Sequence, residues 1–339
     1  MTDNYIRMLK QKLEKHNSVE FSNKCLEYAK NLIANNLPVL FDEKHVNLTL
    51  KLEHSFTSEN MINSSYHAFN ISNNYKTRLI SAPSKNLKIR QRWILDNILI
   101  NIPISDFAYG FKTGCSIKNN AMIHANHTYA ICLDIKDFFP SIKFDSVVSI
   151  FSKCGYSSSA SKRLAQLCCY NRELPQGAPT SPQISNIICK DLDIQLNSIA
   201  LKYDAAYSRY ADDITFSAND DINDALPIIK KTIQSFGFQI NNSKTTIYSK
   251  GQPKFITGLV VQNGTVRIPK KLKRELKKEI YYCQKFGVTN HLINSGAKKF
   301  INYREHLYGK AYYIFMVEPE VGAWFLEQLD RIAWPEWCL

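Results

Sequence analysis

The sequence predicts an α+β protein in which antiparallel strand pairs carry the chemistry and helices do much of the packing. Two observations support this. In Tyr207–Ser217, apolar Ile214 and Phe216 alternate with Thr215 and Ser217 after the acidic pair Asp212-Asp213, and aromatic-rich Tyr207–Tyr210 precedes it. That is strand, tight turn, strand. Elsewhere apolar residues recur at helical spacing, as in Ile6, Leu9 and Leu13 or Leu272, Leu276, Ile280 and Cys283.

Residues 4–36 read as two helices separated by His16-Asn17-Ser18, ended by Leu37-Pro38. Tyr66–Ser72 and Tyr75–Ala82 form a hairpin around Asn73-Asn74, with Lys76 and Arg78 on one face of its second strand. Lys88–Ile100 is helical, and Ala130–Ile135 is a buried strand carrying Asp134 near its end. Phe138-Phe139-Pro140 turns the chain into a helix over Phe144–Phe151. Leu174–Pro182, with three prolines and a glycine, is a shaped loop before a long helix over Ile184–Ile199. A helix over Asp224–Phe236 leads through Gly237 into a strand at Phe238-Gln239-Ile240. Phe255–Val261 and Gly264–Ile268 then form a hairpin around Gln262-Asn263.

Lys and Arg total 43 against 30 acidic residues, a net charge of +13 that points to a polyanionic partner, nucleic acid first. The basic residues concentrate in 270–286, where Lys270, Lys271, Lys273, Arg274, Lys277 and Lys278 surround the apolar stripe. Charges so nearly of one sign favour a phosphate backbone over a merely solvated face. The nine cysteines include no C-x-x-C pair, so zinc is not expected, and they fit reduced thiols in a cytoplasmic protein. Residues 1–15 lack the apolar core of a signal peptide, and no apolar run is long enough to span a membrane.

With 30 acidic residues in 339, chance supplies about 3 adjacent acidic pairs, and the chain has Asp42-Glu43, Asp212-Asp213 and Asp220-Asp221. The middle pair stands out by its hairpin setting. If the strand carrying Asp134 joins the same sheet, three carboxylates meet. That donor set suits a pair of magnesium ions, which at about 3.5–4 Å apart stabilise the attacking and leaving oxygens of phosphoryl transfer.

Leu133-Asp134-Ile135-Lys136-Asp137-Phe138-Phe139, Leu174-Pro175-Gln176-Gly177-Ala178-Pro179-Thr180-Ser181-Pro182 and Tyr210-Ala211-Asp212-Asp213 follow one another in the order found in reverse transcriptases. Gly237–Asn241 with Lys244, and Phe255–Leu259, resemble that family's next two blocks. Asn120-Ala121-Met122-Ile123-His124 and Ile256-Thr257-Gly258 narrow the resemblance to retron reverse transcriptases, the latter block with Ile in place of the usual Val.

The resemblance implies a right-hand polymerase. Residues 1–65 would form a helical extension and the start of the fingers. Residues 66–129 and 141–175 would be fingers with palm segments, 130–140 and 176–268 palm, and 269–339 thumb and RNA-recognition region. It assigns Asp134, Asp212 and Asp213 to two magnesium ions, with manganese as a substitute. Phe139 becomes a steric gate against ribonucleotides, and Gln176, Arg78, Lys76 and Lys244 contact the incoming nucleotide. Phe255, Ile256, Thr257 and Gly258 become the primer grip, and His124 a family marker without a catalytic role. The implied partners are a cognate non-coding RNA serving as template and primer, its DNA product, deoxynucleotides and an effector protein of bacterial antiphage defence. A chain ending at 339 without a maturase or endonuclease domain agrees with this. Other bacterial reverse transcriptases and a non-catalytic RNA-binding scaffold are the alternatives.

Overall fold

Alternating and helix-spaced apolar residues sort into separate elements in the computed structural model. It describes residues 2–52, 56, 58–73, 76–295 and 301–336, with the side chains of residues 2, 3, 73 and 76 outside the description. The N-terminal helices Thr2–Glu14 and Val19–Ala34 are followed by a two-stranded ribbon, β1 (Tyr66–Asn73) and β2 (Lys76–Pro83). Asn74 and Tyr75 of the expected turn lie outside the described residues. The helix after the ribbon is Lys85–Asn97, capped by Ser84, whose hydroxyl accepts from Leu87 N.

The central sheet contains β3 (Tyr129–Asp134), β4 (Ala206–Tyr210), β5 (Asp213–Ala218) and β6 (Thr246–Tyr248) in the order β4-β5-β3-β6, antiparallel throughout. Its two faces follow from alternation along each strand. Ile131, Leu133, Tyr207, Ile214 and Phe216 point into a core shared with the helices Lys190–Lys202 and Leu226–Ser235. A third sheet, β7 (Lys254–Ile256), β8 (Leu259–Gln262) and β9 (Thr265–Arg267), buries Ile256, Leu259, Val261 and Val266. These residues share a second core with the helices Lys270–Phe286, Tyr303–Val317 and Pro319–Asp330.

Several expected boundaries shift for local reasons. The helix expected over 184–199 is two helices, Ser181–Ile188 and Lys190–Lys202, meeting at Cys189, which ends one and opens the other. The 224–236 helix starts at Leu226, with proline in its first turn where the missing N–H costs nothing. Phe238-Gln239-Ile240 makes one bridge, Ile135 to Ile240, instead of a strand. Phe255–Val261 is folded back on itself, because Thr257 and Gly258 take φ of +46° and +82° and close a two-residue turn between Ile256 and Leu259. The next turn is Asn263-Gly264, also left-handed at both residues, one position later than expected.

Candidate active site

The β4–β5 hairpin closes with two residues, since Tyr210 pairs with Asp213, and Asp213 pairs across the sheet with Asp134. Residues directly opposite in a ladder share a face with Cβ atoms about 4.5–5.5 Å apart. Two carboxylate stems therefore stand side by side at the sheet edge, and Asp212 sits in the turn beside them. The turn is tied to β3 by Ile135 N donating to Asp212 O at 2.9 Å.

Below the acids, the same face carries Cys132 and Thr215, which line a cleft of about 220 Å³ with Asp134, Asp213, Lys244, Tyr248 and Phe255–Gly258. Burial pushes the Cys132 thiol up to about 12, so it stays protonated and uncharged there. Lys244 Nζ donates to Asp134 Oδ2. The lysine expected at the nucleotide's phosphates thus meets Asp134.

Among the described residues, no group of three His, Cys, Asp or Glu side chains is gathered closely enough to hold a metal ion. The donor chemistry nonetheless suits a hard divalent cation, since two aspartates stand opposite each other in the ladder and Lys244 already places a positive charge against Asp134. The two other acidic pairs have local duties. Asp42 caps a helix by accepting from His45 N, and Asp221 accepts from Asn223 N in a turn.

The loop bearing Gln176 is joined to β2, because Ser81 N donates to Gln176 O at 2.9 Å. A Cβ on Gly177 would lie 2.7 Å from Ser81 O, and its φ is +138°, so only glycine allows this approach. Arg78 is exposed on β2 opposite Ile71, three residues from that junction. Lys76 pairs with Asn73 through the backbone, and its side chain lies outside the described residues.

Phe138 and Phe139 divide their work. Phe138 is buried against Phe238, whereas Phe139 is half-buried with its ring 6.1 Å from that of Phe111. Asp137, at φ +47°, turns the chain so that the short helix Phe138–Ser141 presents the second ring. The Gly110-Phe111 pair precedes the Asn120–His124 block in the sequence, but nothing there shows that Phe111 will meet Phe139.

In the segment expected to grip the primer, Phe255 is 52 % exposed while Ile256 is buried, as strand alternation requires. Thr257 Oγ1 donates to Ile117 O at 3.4 Å. Along the helix Lys270–Phe286, Leu276, Ile280 and Cys283 are buried, and Lys270, Lys271, Arg274, Lys277 and Lys278 are exposed. Lys273 differs from these, as its ammonium bonds both oxygens of Glu318 at 2.9 and 3.0 Å. Lys277 lies over Trp324 and Lys278 over Tyr282. In the aromatic C-terminal stretch, Tyr308 packs near Trp334, and Trp337 lies outside the described residues.

His124 is fully buried beneath the sheet. Its Nδ1 meets Ser217 Oγ at 2.6 Å and its Nε2 meets Ser208 Oγ at 2.8 Å, so one ring spans both strands of the β4–β5 hairpin. Burial, then His127 and Lys254 nearby, lower its pKa to about 3, so the imidazole is neutral and its two serine partners set the tautomer. Lys254, itself buried, donates to His127 O.

A sequence profile described as "Reverse transcriptase (RNA-dependent DNA polymerase)" matches residues 71–282. The retron Ec86 reverse transcriptase of Escherichia coli is 36 % identical over 221 residues, covering 64 % of this chain and 69 % of that protein. The retron Mx162 reverse transcriptase of Myxococcus xanthus is 31 % identical over 290 residues, covering 75 % of this chain and 58 % of that protein. Among solved structures, apo telomerase from Candida tropicalis, truncated of its C-terminal domain, aligns at 15 % identity with a TM-score of 0.43, covering 60 % of this chain and 55 % of that one.

Proposed function

We propose, because the chain belongs to the retron reverse transcriptases, a family of RNA-directed DNA polymerases, that it copies part of a cognate structured non-coding RNA into single-stranded DNA. Priming is from an internal guanosine 2′-hydroxyl and leaves a branched RNA–DNA product. The system serves antiphage defence in the bacterial cytoplasm, with an effector protein as partner. Among the described residues no helix is long and apolar enough to cross a membrane. The observation that carries the reading is the placement of Asp134 opposite Asp213, with Asp212 in the adjoining turn.

Asp134, Asp212 and Asp213 would hold two magnesium ions, or manganese in their place, which supply charge stabilisation to the attacking and leaving oxygens. The protein's own residues do the rest. Lys244 donates to Asp134 and would exchange that partner for a triphosphate oxygen. Arg78 and Lys76 take the triphosphate, and Gln176, fixed through its carbonyl to β2, lies under the nucleotide. Phe139, backed by Phe111, closes the space a 2′-hydroxyl would need. Phe255–Gly258 hold the primer end. The exposed cations of the helix Lys270–Phe286 hold RNA backbone, with recognition by shape and loops. Fingers, palm and thumb take the residue boundaries that the family resemblance implies.

Nucleic acid purified with the protein from cells carrying its RNA gene tests this. A DNA strand joined to RNA by a 2′–5′ bond, released by a debranching nuclease, is expected. A linear, unattached DNA would overturn the priming chemistry.

A further inference from the structure

The turn that carries Asp212 and Asp213 has a conformation that its sequence does not favour. Ala211 sits at φ +57° in a two-residue hairpin loop, a place where a side chain is uncommon. Something must hold it there, and Arg209, two residues earlier in β4, does. Arg209 Nη1 donates to Ala211 O at 3.2 Å and to Asn186 Oδ1 at 3.1 Å. Its Nε and Nη2 donate to the two oxygens of Asp193 at 2.7 and 2.8 Å, and Tyr207 OH donates to the same carboxylate at 2.7 Å. Both charged side chains are 0 % exposed.

The network continues to the far side of the turn. Asn186 Nδ2 donates to Gly110 O at 2.9 Å, and Gly110 lies so close that a Cβ there would stand 2.5 Å from Ala211 N. Tyr109 N donates to Arg209 O at 2.8 Å, and Arg209 N donates to Phe107 O at 2.9 Å. Taking an ion pair out of water is costly, and apolar residues of similar volume usually fill such a place at least as well. A hydrocarbon pair, however, cannot hold a carbonyl oxygen. The guanidinium does so while its carboxylate partner, on the helix Lys190–Lys202, fixes its plane.

We propose that Arg209 is a positioning residue: held by Asp193 and Asn186, it fixes Ala211 O and so sets where Asp212 and Asp213 stand relative to Asp134. With Ile135 N on Asp212 O, two successive carbonyls of the turn are pinned from opposite sides. The inference rests on the proposed reading that these aspartates hold the metal ions. It adds a residue, on the sheet's apolar face, that touches neither substrate nor ion.

The test uses the full chain with Arg209→Lys and with the double variant Arg209→Met, Asp193→Leu, which removes both charges together and so leaves neither ion buried without its counter-ion. Mn2+ binding to the free protein is followed by electron paramagnetic resonance, and primer extension is titrated with Mg2+. The expected result is thermal unfolding within a few degrees of wild type, at least tenfold weaker Mn2+ binding, and a matching rise in the Mg2+ needed for half-maximal synthesis. The KM for deoxynucleotide at saturating Mg2+ should stay within about threefold, a split that general loosening would not give.

Wild-type Mn2+ binding in a folded double variant overturns the proposal. If the double variant does not fold, Arg209→Lys decides alone, because lysine keeps the charge beside Asp193 but lacks the fork that reaches Ala211 O. Wild-type metal response in that variant also overturns it. Asp212→Asn, run in parallel, separates the two readings: if it binds Mn2+ normally, the metal assignment fails, whatever Arg209 does.

Discussion

The two faces of the β4-β5-β3-β6 sheet differ in what they ask of a side chain. One face packs Ile131, Leu133, Tyr207, Ile214 and Phe216 into the main core, where shape and volume decide the outcome. The other carries Asp134, Asp213, Cys132, Thr215, Ser208 and Ser217, where hydrogen bonds and charge decide it. Each strand supplies both faces through alternation alone. Arg209 apart, changes on the first face should therefore appear as lost stability, and changes on the second as lost chemistry in a folded protein.

The sharpest break of that contrast is Asp134→Asn. It should reduce DNA synthesis by at least about a thousandfold with little change in melting temperature. Unfolding instead would show that the acid serves the fold. On the opposite face Phe216→Ala should cost about 3–5 kcal/mol by the usual penalty for a buried ring, read by chemical denaturation. A variant of full stability but altered catalysis would blur the two faces. Phe139→Ala should lower discrimination against ribonucleotides by roughly 10–100-fold, a loss worth about 1–3 kcal/mol. Unchanged sugar selection would remove its gate role.

Smaller effects are expected away from the acids. His124 is held neutral with a pKa lowered to about 3, below its ordinary value near 6.5. The unfolded chain therefore binds the extra proton first, and stability present above pH 6.5 falls as pH drops toward 3, by up to about 1.4 kcal/mol per unit. His124→Gln should flatten that part of the profile of melting temperature against pH. Equal slopes would mean that other groups govern it. Charge reversal at Arg274, Lys277 and Lys278 should weaken RNA binding and lower its salt slope by up to about one for each phosphate no longer neutralised. Lys273 is a poorer choice for this, because its removal takes from Glu318 the ammonium bonded to both of its oxygens.

Alternation around Asp212-Asp213 and the apolar run before Asp134 make the β4–β5 hairpin and its neighbour readable, because period-two patterns identify a sheet face directly. The buried stripe of the helix Lys270–Phe286 is readable for the same reason at helical period. Turns are less so. Thr257-Gly258 does not read as a turn because threonine rarely takes positive φ, and the hairpin it closes looks like one strand. His124 stands out in its block, but a lone histidine gives no sign of which serines it will meet 84 and 93 residues away. Arg209 is hidden for a related reason. It lies close to the acidic pair in sequence, yet its partner Asp193 is on a preceding helix and becomes a partner only through the fold.

The claim that this sheet edge performs the synthesis is tested most directly by Asp212→Asn in the purified protein, given its RNA, Mg2+ and labelled deoxynucleotides. RNA binding and melting temperature should match wild type while no DNA is made. DNA made at the wild-type rate would contradict the account.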